Sequence, residues 1–226
     1  MFQFAHMDWA ARVRVKGPHK TSWSAKDLAD LAERVPHACK HVVNPQPPKL
    51  LHGVMPSEAV QEATEWGNQA TQGGAKRHAK LSSISPIIAS GIVSLPASML
   101  DQWPAYRDEV VEALCERYGE RVRSVVEHLD QDNPHLQFFL VPKAGENFGA
   151  VHEGYKARRE ARLNGPGAKA RAAYQDAMRE WQDWLFLRVS TRFGLERLGP
   201  QRKRVSRKAH QINKKSPSPS VVEQSL

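Results

Sequence analysis

Apolar and polar positions repeat with two periods along this chain, and each period predicts a different kind of element. Residues 10–16 (AARVRVK) alternate small or apolar with basic side chains, the period-two pattern of a strand open to solvent on one face. Ser24 stands three residues before Asp27, as in a capping box, and Leu28 and Leu31 follow at helical spacing, so a short helix runs to about Arg34. The prolines of NPQPP at 44–48 break any regular element and make a loop. Ser57 is read as the cap of a second helix, EAVQEATEWGNQA, which runs into a Gly-Gly and basic stretch, GGAKRHAK at 73–80, read as a mobile or DNA-facing loop.

The middle of the chain is more regular. PIIASGIVSL at 86–95 is a short, Ile-rich apolar run, the pattern of a strand covered on both faces. Pro104 opens a helix whose stripe is Val110, Val111, Leu114 and Tyr118, and Gly119 closes it. Residues 121–129 and 135–142 alternate as strands around the turn-forming DQDNP, which predicts a hairpin with a connection of four to five residues. Two helical patterns follow, 151–163 and a long one from Ala168 to about Phe193, with Gly194 as its stop. The expected fold class is α/β of the α+β kind: an antiparallel sheet with the hairpin at its centre, helices packed on one face, and a long C-terminal helix.

Composition narrows what such a fold serves. The 226 residues suit one domain, 1–196, followed by a tail, 197–226. A formal charge of +9 points to a polyanionic partner. The tail carries Arg197, Arg202, Lys203, Arg204, Arg207, Lys208, Lys214 and Lys215 with no acid before Glu223, which favours phosphate contact over a solvated face. Lys156, Arg158, Arg159, Arg162, Lys169 and Arg171 add a second basic group on a helix face that also carries acids. No apolar run is long enough to span a bilayer and the N-terminus lacks a signal-peptide pattern, so a cytoplasmic protein is expected. Cys39 and Cys115 are read as free thiols.

The hairpin concentrates the chemistry. If residues 130–133 make the turn, His128 lies directly across from His135 at a Cβ separation of roughly 5 Å. Gln137 shares their face by alternation, while Leu136, Phe138 and Leu140 point the other way. Imidazole and oxygen ligands suit Mn²⁺ or Mg²⁺ acting on a phosphoryl group. The plainer alternative is a pair of partly exposed histidines at a strand end. Trp9, Trp23, Trp66 and Trp103 include possible base-stacking groups, although core packing accounts for most of them.

The stretch HLDQDNPHLQFFLVP at 128–142 resembles the Mob/Pre (MobV-type) signature His-x-Asp-Glu-x-x-Pro-His-x-His, of the HUH class of relaxases. IVSLPASMLDQW, before the helix at 104, and FGLERLGPQRKRVSRKAHQ, after the long helix, sit where that family has its other segments. The resemblance implies metal-dependent nicking and rejoining of single-stranded DNA for plasmid or mobile-element mobilisation. Its implied partners are single-stranded DNA or an origin hairpin, and mobilisation accessory proteins. It makes His128 and His135 ligands of a divalent cation, with Gln137 where the family has a third histidine. Asp130 stands behind them, and Gln131 replaces the family's Glu. Arg202, Lys203, Arg204, Arg207 and Lys208 would hold DNA. The nucleophile would be a tyrosine or an N-terminal histidine; His37, four residues before a competing His41, forms a His-x-x-Lys element like the family's His-x-x-Arg, whereas the four tyrosines fall in helical patterns. The two glutamines leave a second reading open, a catalytically impaired relative that holds an origin hairpin. A third is a basic module for a protein or acidic lipid.

Overall fold

The computed structural model describes residues 1–17, 21–72, 79–164 and 168–199. Five strands form one antiparallel sheet in the order β1-β5-β7-β6-β2, with β1 Phe4–Ala11, β2 Lys49–Gly53, β5 Pro86–Ser94, β6 Val122–His128 and β7 His135–Leu140. A separate two-residue pair joins β3 Thr71–Gln72 to β4 Ala79–Lys80. The helices are α1 Ala25–Ala32, α2 Pro56–Gln69, α3 Trp103–Tyr118, α4 Glu153–Leu163 and α5 Ala168–Arg188.

The hairpin lies inside the sheet, β7 central and β6 beside it, and every residue of β7 is buried. On the side of Leu136 and Phe138, α3 and α5 pack: the Trp103 indole donates to Glu127 at 2.6 Å, and the Phe138 and Trp181 rings sit 6.2 Å apart. The opposite side is also closed along Ile88, Val126 and Phe139, where α1 and α2 pack on each other and on the sheet. Helices on a single face were therefore too narrow an expectation. A central strand apolar on both sides, such as LQFFL, requires two covers.

Two boundaries differ from the pattern-based reading. The first strand is Phe4–Ala11 and not 10–16, because Ala5 and Met7 supply a buried row, whereas Val13 is 44% exposed and offers the sheet nothing to bury. The basic residues of that stretch leave the sheet: Arg14 forks onto Asp27 in the first turn of α1, and Arg12 reaches Asn68 and the Leu81 carbonyl. Ser57 is not a cap. Pro56 occupies the first turn of α2, and the exposed Ser57 N–H donates to the Glu33 carboxylate at 2.6 Å, so a neighbouring helix end satisfies it. The capping box of Ser24 and Asp27 is present at α1, and Gly119 ends α3 with a φ of +57°. The long helix stops at Arg188, five residues early; one further turn, Ser190–Phe193, is 3₁₀, and Gly194 closes it in the left-handed conformation. Cys39 and Cys115 are both free thiols.

Candidate metal site and nucleic-acid cleft

The hairpin register places His128 opposite His135, as the spacing required, although the connection is six residues long, 129–134. The two imidazoles stack with centroids 4.9 Å apart and planes inclined by 30°. Gln137 follows on the same face, buried, and donates from its amide nitrogen to the Ser90 hydroxyl at 3.2 Å. That leaves its carbonyl oxygen as the atom it can offer a cation. His135 Nδ1 lies 3.2 Å from the Asn133 carbonyl oxygen, which only accepts, so Nδ1 carries the proton and Nε2 keeps its lone pair. His128 has neither ring nitrogen hydrogen-bonded although both are buried. Burial, then the Arg34 guanidinium, hold its pKa down to about 3, so the ring is neutral and available as a ligand. Burial lowers His135 in the same direction.

A buried imidazole with two orphaned nitrogens, stacked on a second whose lone pair is available, fits a divalent cation; it is a poor fit to a packed core. The donor set lacks a carboxylate. Glu127, next in sequence to His128, faces the other side of the sheet, where Trp103 and Arg107 bind it. Asp130 is spoken for: its carboxylate receives a two-pronged bond from Arg34 at 2.7 and 2.8 Å and the Gln46 N–H at 3.2 Å. Burial raises its pKa, but the Arg34 and Gln46 bonds outweigh that and bring it to about 2. Gln131 is exposed on the turn. No group of three or more His, Cys, Asp or Glu among the described residues is arranged to hold a metal, so two imidazoles and an amide oxygen are the whole offer.

Arg34 was not singled out by the sequence. Its side chain is 5% exposed and Asp130's is 1%, and its backbone is left-handed, with a φ of +60°. Such a conformation in a bulky residue costs energy and persists only where the surroundings fix it. Here the bidentate pair and a third bond to the Leu31 carbonyl do so, and they tie the end of α1 and the 44–48 loop to the hairpin turn.

The two candidate nucleophiles part company. His41 lines a cleft of about 1310 Å³ together with Phe2, Phe4, Asn44, Ile92, Ser94, Asp130, Gln131 and His135. His37 lines a different cavity, about 260 Å³, with Arg14, Trp23 and Asp27, and its ring approaches the Asp30 carboxylate at 3.2 Å. Arg202, Lys203, Arg204, Arg207 and Lys208 lie outside the described residues, as does most of the 73–80 loop. No helix among the described residues is long and apolar enough to cross a membrane.

An antiparallel sheet with paired histidines on its inner hairpin, one of them, His135, lining a cleft beside the N-terminal strand, has the fold of a relaxase domain. In particular, the chain is similar to the MobM relaxase domain (MOBV, Mob/Pre) as solved with oriT DNA of plasmid pMV158. One Mn-bound structure, with a 22-nucleotide strand bearing a 3′-thiophosphate, matches at 14% identity with a TM-score of 0.61 over 94% of this chain and 99% of that one. Another, Mn-bound with 23 nucleotides, matches at 16% identity and 0.55 over 96% and 100%. A third, with 26 nucleotides, gives 13% and 0.51 over 94% and 99%. Comparison with family models and with curated proteins by sequence gives no match. The likeness is therefore one of fold, spread over nearly the whole chain.

Proposed function

We propose that this protein binds single-stranded DNA of an origin in the cleft beside the histidine hairpin and nicks and rejoins it there. The observation that carries the reading is the cleft itself, which collects His135, His41 and the 130–133 turn on one side of the sheet. The supporting likeness is to a domain solved with origin DNA and manganese. His128, His135 and Gln137 would hold a divalent cation, which when bound polarises a phosphoryl oxygen and offsets charge in the displacement. His41 is the nucleophile that the geometry favours: an imidazole nitrogen bonds to the scissile phosphorus, the bond to the 3′ oxygen breaks, and that oxygen leaves as a hydroxyl after taking a proton from solvent. Rejoining reverses these steps, with the 3′ hydroxyl displacing the imidazole. Arg34 and Asp130 act through position, fixing the 44–48 loop that walls the cleft. The basic residues of the tail, Arg202 to Lys208 among them, supply phosphate contacts.

The test is an adduct. Incubation with Mn²⁺ and a randomised single-stranded DNA pool should leave protein covalently attached to a 5′ phosphate through an acid-labile, alkali-resistant phosphoramidate. His41→Ala should abolish the adduct and His37→Ala should leave most of it; the reverse outcome returns the role to His37. One observation favours a second reading, in which the protein holds an origin hairpin without cutting it: Gln137 and Gln131 leave the site without a carboxylate or a third imidazole. Tight DNA binding with no adduct from any pool at millimolar Mn²⁺ would establish it.

A further inference from the structure

Strand β1 alternates exposed and buried residues, and its outer row in the first half reads Phe4, His6, Asp8. A phenylalanine in a row of polar residues is the departure, and Phe4 is 57% exposed. Register puts it in line with the candidate site: Phe4 pairs with Ser94, Ser94 with His135 and His135 with His128. Two strand spacings separate Phe4 from His135, roughly 10 Å. Phe2, 38% exposed, stands beside it at the same rim, held by pairing of the N-terminal residues with Glu196 and by Gly199 against its ring. Both rings line the cleft that contains His135.

We infer that Phe4, with Phe2 next to it, is a stacking platform for an unpaired nucleobase of the strand whose phosphate lies at the histidines. The inference rests on the DNA-binding reading above. The occupant follows from the chemistry of the surround: the chain carries a formal +9, so it attracts a polyanion, and a flat apolar ring exposed beside imidazoles serves a ligand with alternating charged and aromatic parts. Stacking tolerates any base, so the platform sets how far from the nick the strand is gripped, not which sequence is read.

The experiment compares the full chain's affinity for a dT20 strand and for an abasic strand of the same length, which has the phosphates and lacks the bases. Wild type prefers dT20. Phe4→Ala should cut that preference about tenfold or more, with binding of the abasic strand and the salt slope unchanged. Phe4→Trp should keep the preference, and Leu163→Ala, an exposed apolar residue on α4, should leave it as in wild type. Phe4 is exposed, so a melting temperature equal to wild type shows that the fold survives the substitution. If wild type binds dT20 and Phe4→Ala keeps the full preference, the platform is wrong while DNA binding stands. If that result comes with loss of a dimer in sedimentation, the patch meets a second copy of this chain. If wild type binds neither strand, the DNA-binding reading fails and this inference with it.

Discussion

His152 shows how one side chain links local geometry to behaviour in solution. It caps α4, its Nδ1 accepting the Tyr155 N–H at 3.2 Å, while its buried Nε2 has no partner. Burial brings its pKa down to about 4. The unfolded chain, with an ordinary imidazole near pH 6.5, binds the proton first as pH falls. Stability from this residue is thus complete above about 6.5, declines between 6.5 and 4, and levels off below, a change of roughly 3 kcal/mol. Protonation at Nδ1 would also remove the cap acceptor. His152→Asn keeps a capping oxygen and does not titrate, so the difference in unfolding free energy between wild type and variant should follow this pH window. A pH-independent difference would show that the ring has the same pKa in the folded and unfolded chain, against the burial described here. Individual residues of this kind were the hardest to read in the sequence. Nothing in VHEGY marks His152 as buried, and nothing in LAERVP marks Arg34 as left-handed, because both conditions are imposed by distant partners.

Elements were more legible where one pattern decided them. The hairpin announced its register through two histidines flanking a turn-rich DQDNP, and α1 announced its start through Ser24 and Asp27. The first strand was misplaced because period-two alternation is present both in FAHMDWA and in ARVRV, and only burial of Ala5 and Met7 distinguishes them. Which histidine faces the cleft was illegible, since the loop after α1 sets it. Two tests belong at this scale. Gln137→His should increase the rise in melting temperature caused by millimolar Mn²⁺, because an imidazole is a stronger ligand than an amide oxygen, and His135→Ala should remove the rise. No rise in any of the three proteins would count against the metal site. The inner part of the sheet also holds a position that admits no side chain: a β-carbon at Gly91 would lie 2.2 Å from Phe138 Cζ and 2.6 Å from the His6 carbonyl oxygen. Gly91→Ala should destabilise by about 3 kcal/mol in denaturant unfolding, the upper part of the range for overpacking, because both neighbours are held in the sheet.

At the scale of the whole molecule, charge and fold act together. Residues 200–226 contain seven Lys and Arg and a single acid, Glu223. If about four of these neutralise phosphates of a single strand, a chain ending at Gly199 should show a log K against log salt slope flatter by roughly 3 units, measured on the same oligonucleotide. An unchanged slope would assign the tail to another partner. The preceding residues fix where that tail starts. Glu196 donates its N–H to the Met1 carbonyl at 2.7 Å and accepts the Gln3 N–H at 2.9 Å, so the first three residues run alongside 195–197 at the mouth of the cleft. For anyone handling the protein this decides where a label belongs. A purification tag joined ahead of Met1 begins at the rim that Phe2 and Phe4 occupy, where it would obstruct the cleft and bias any binding measured there. The exposed Asn164, at the end of α4, is not among the residues that line the cleft.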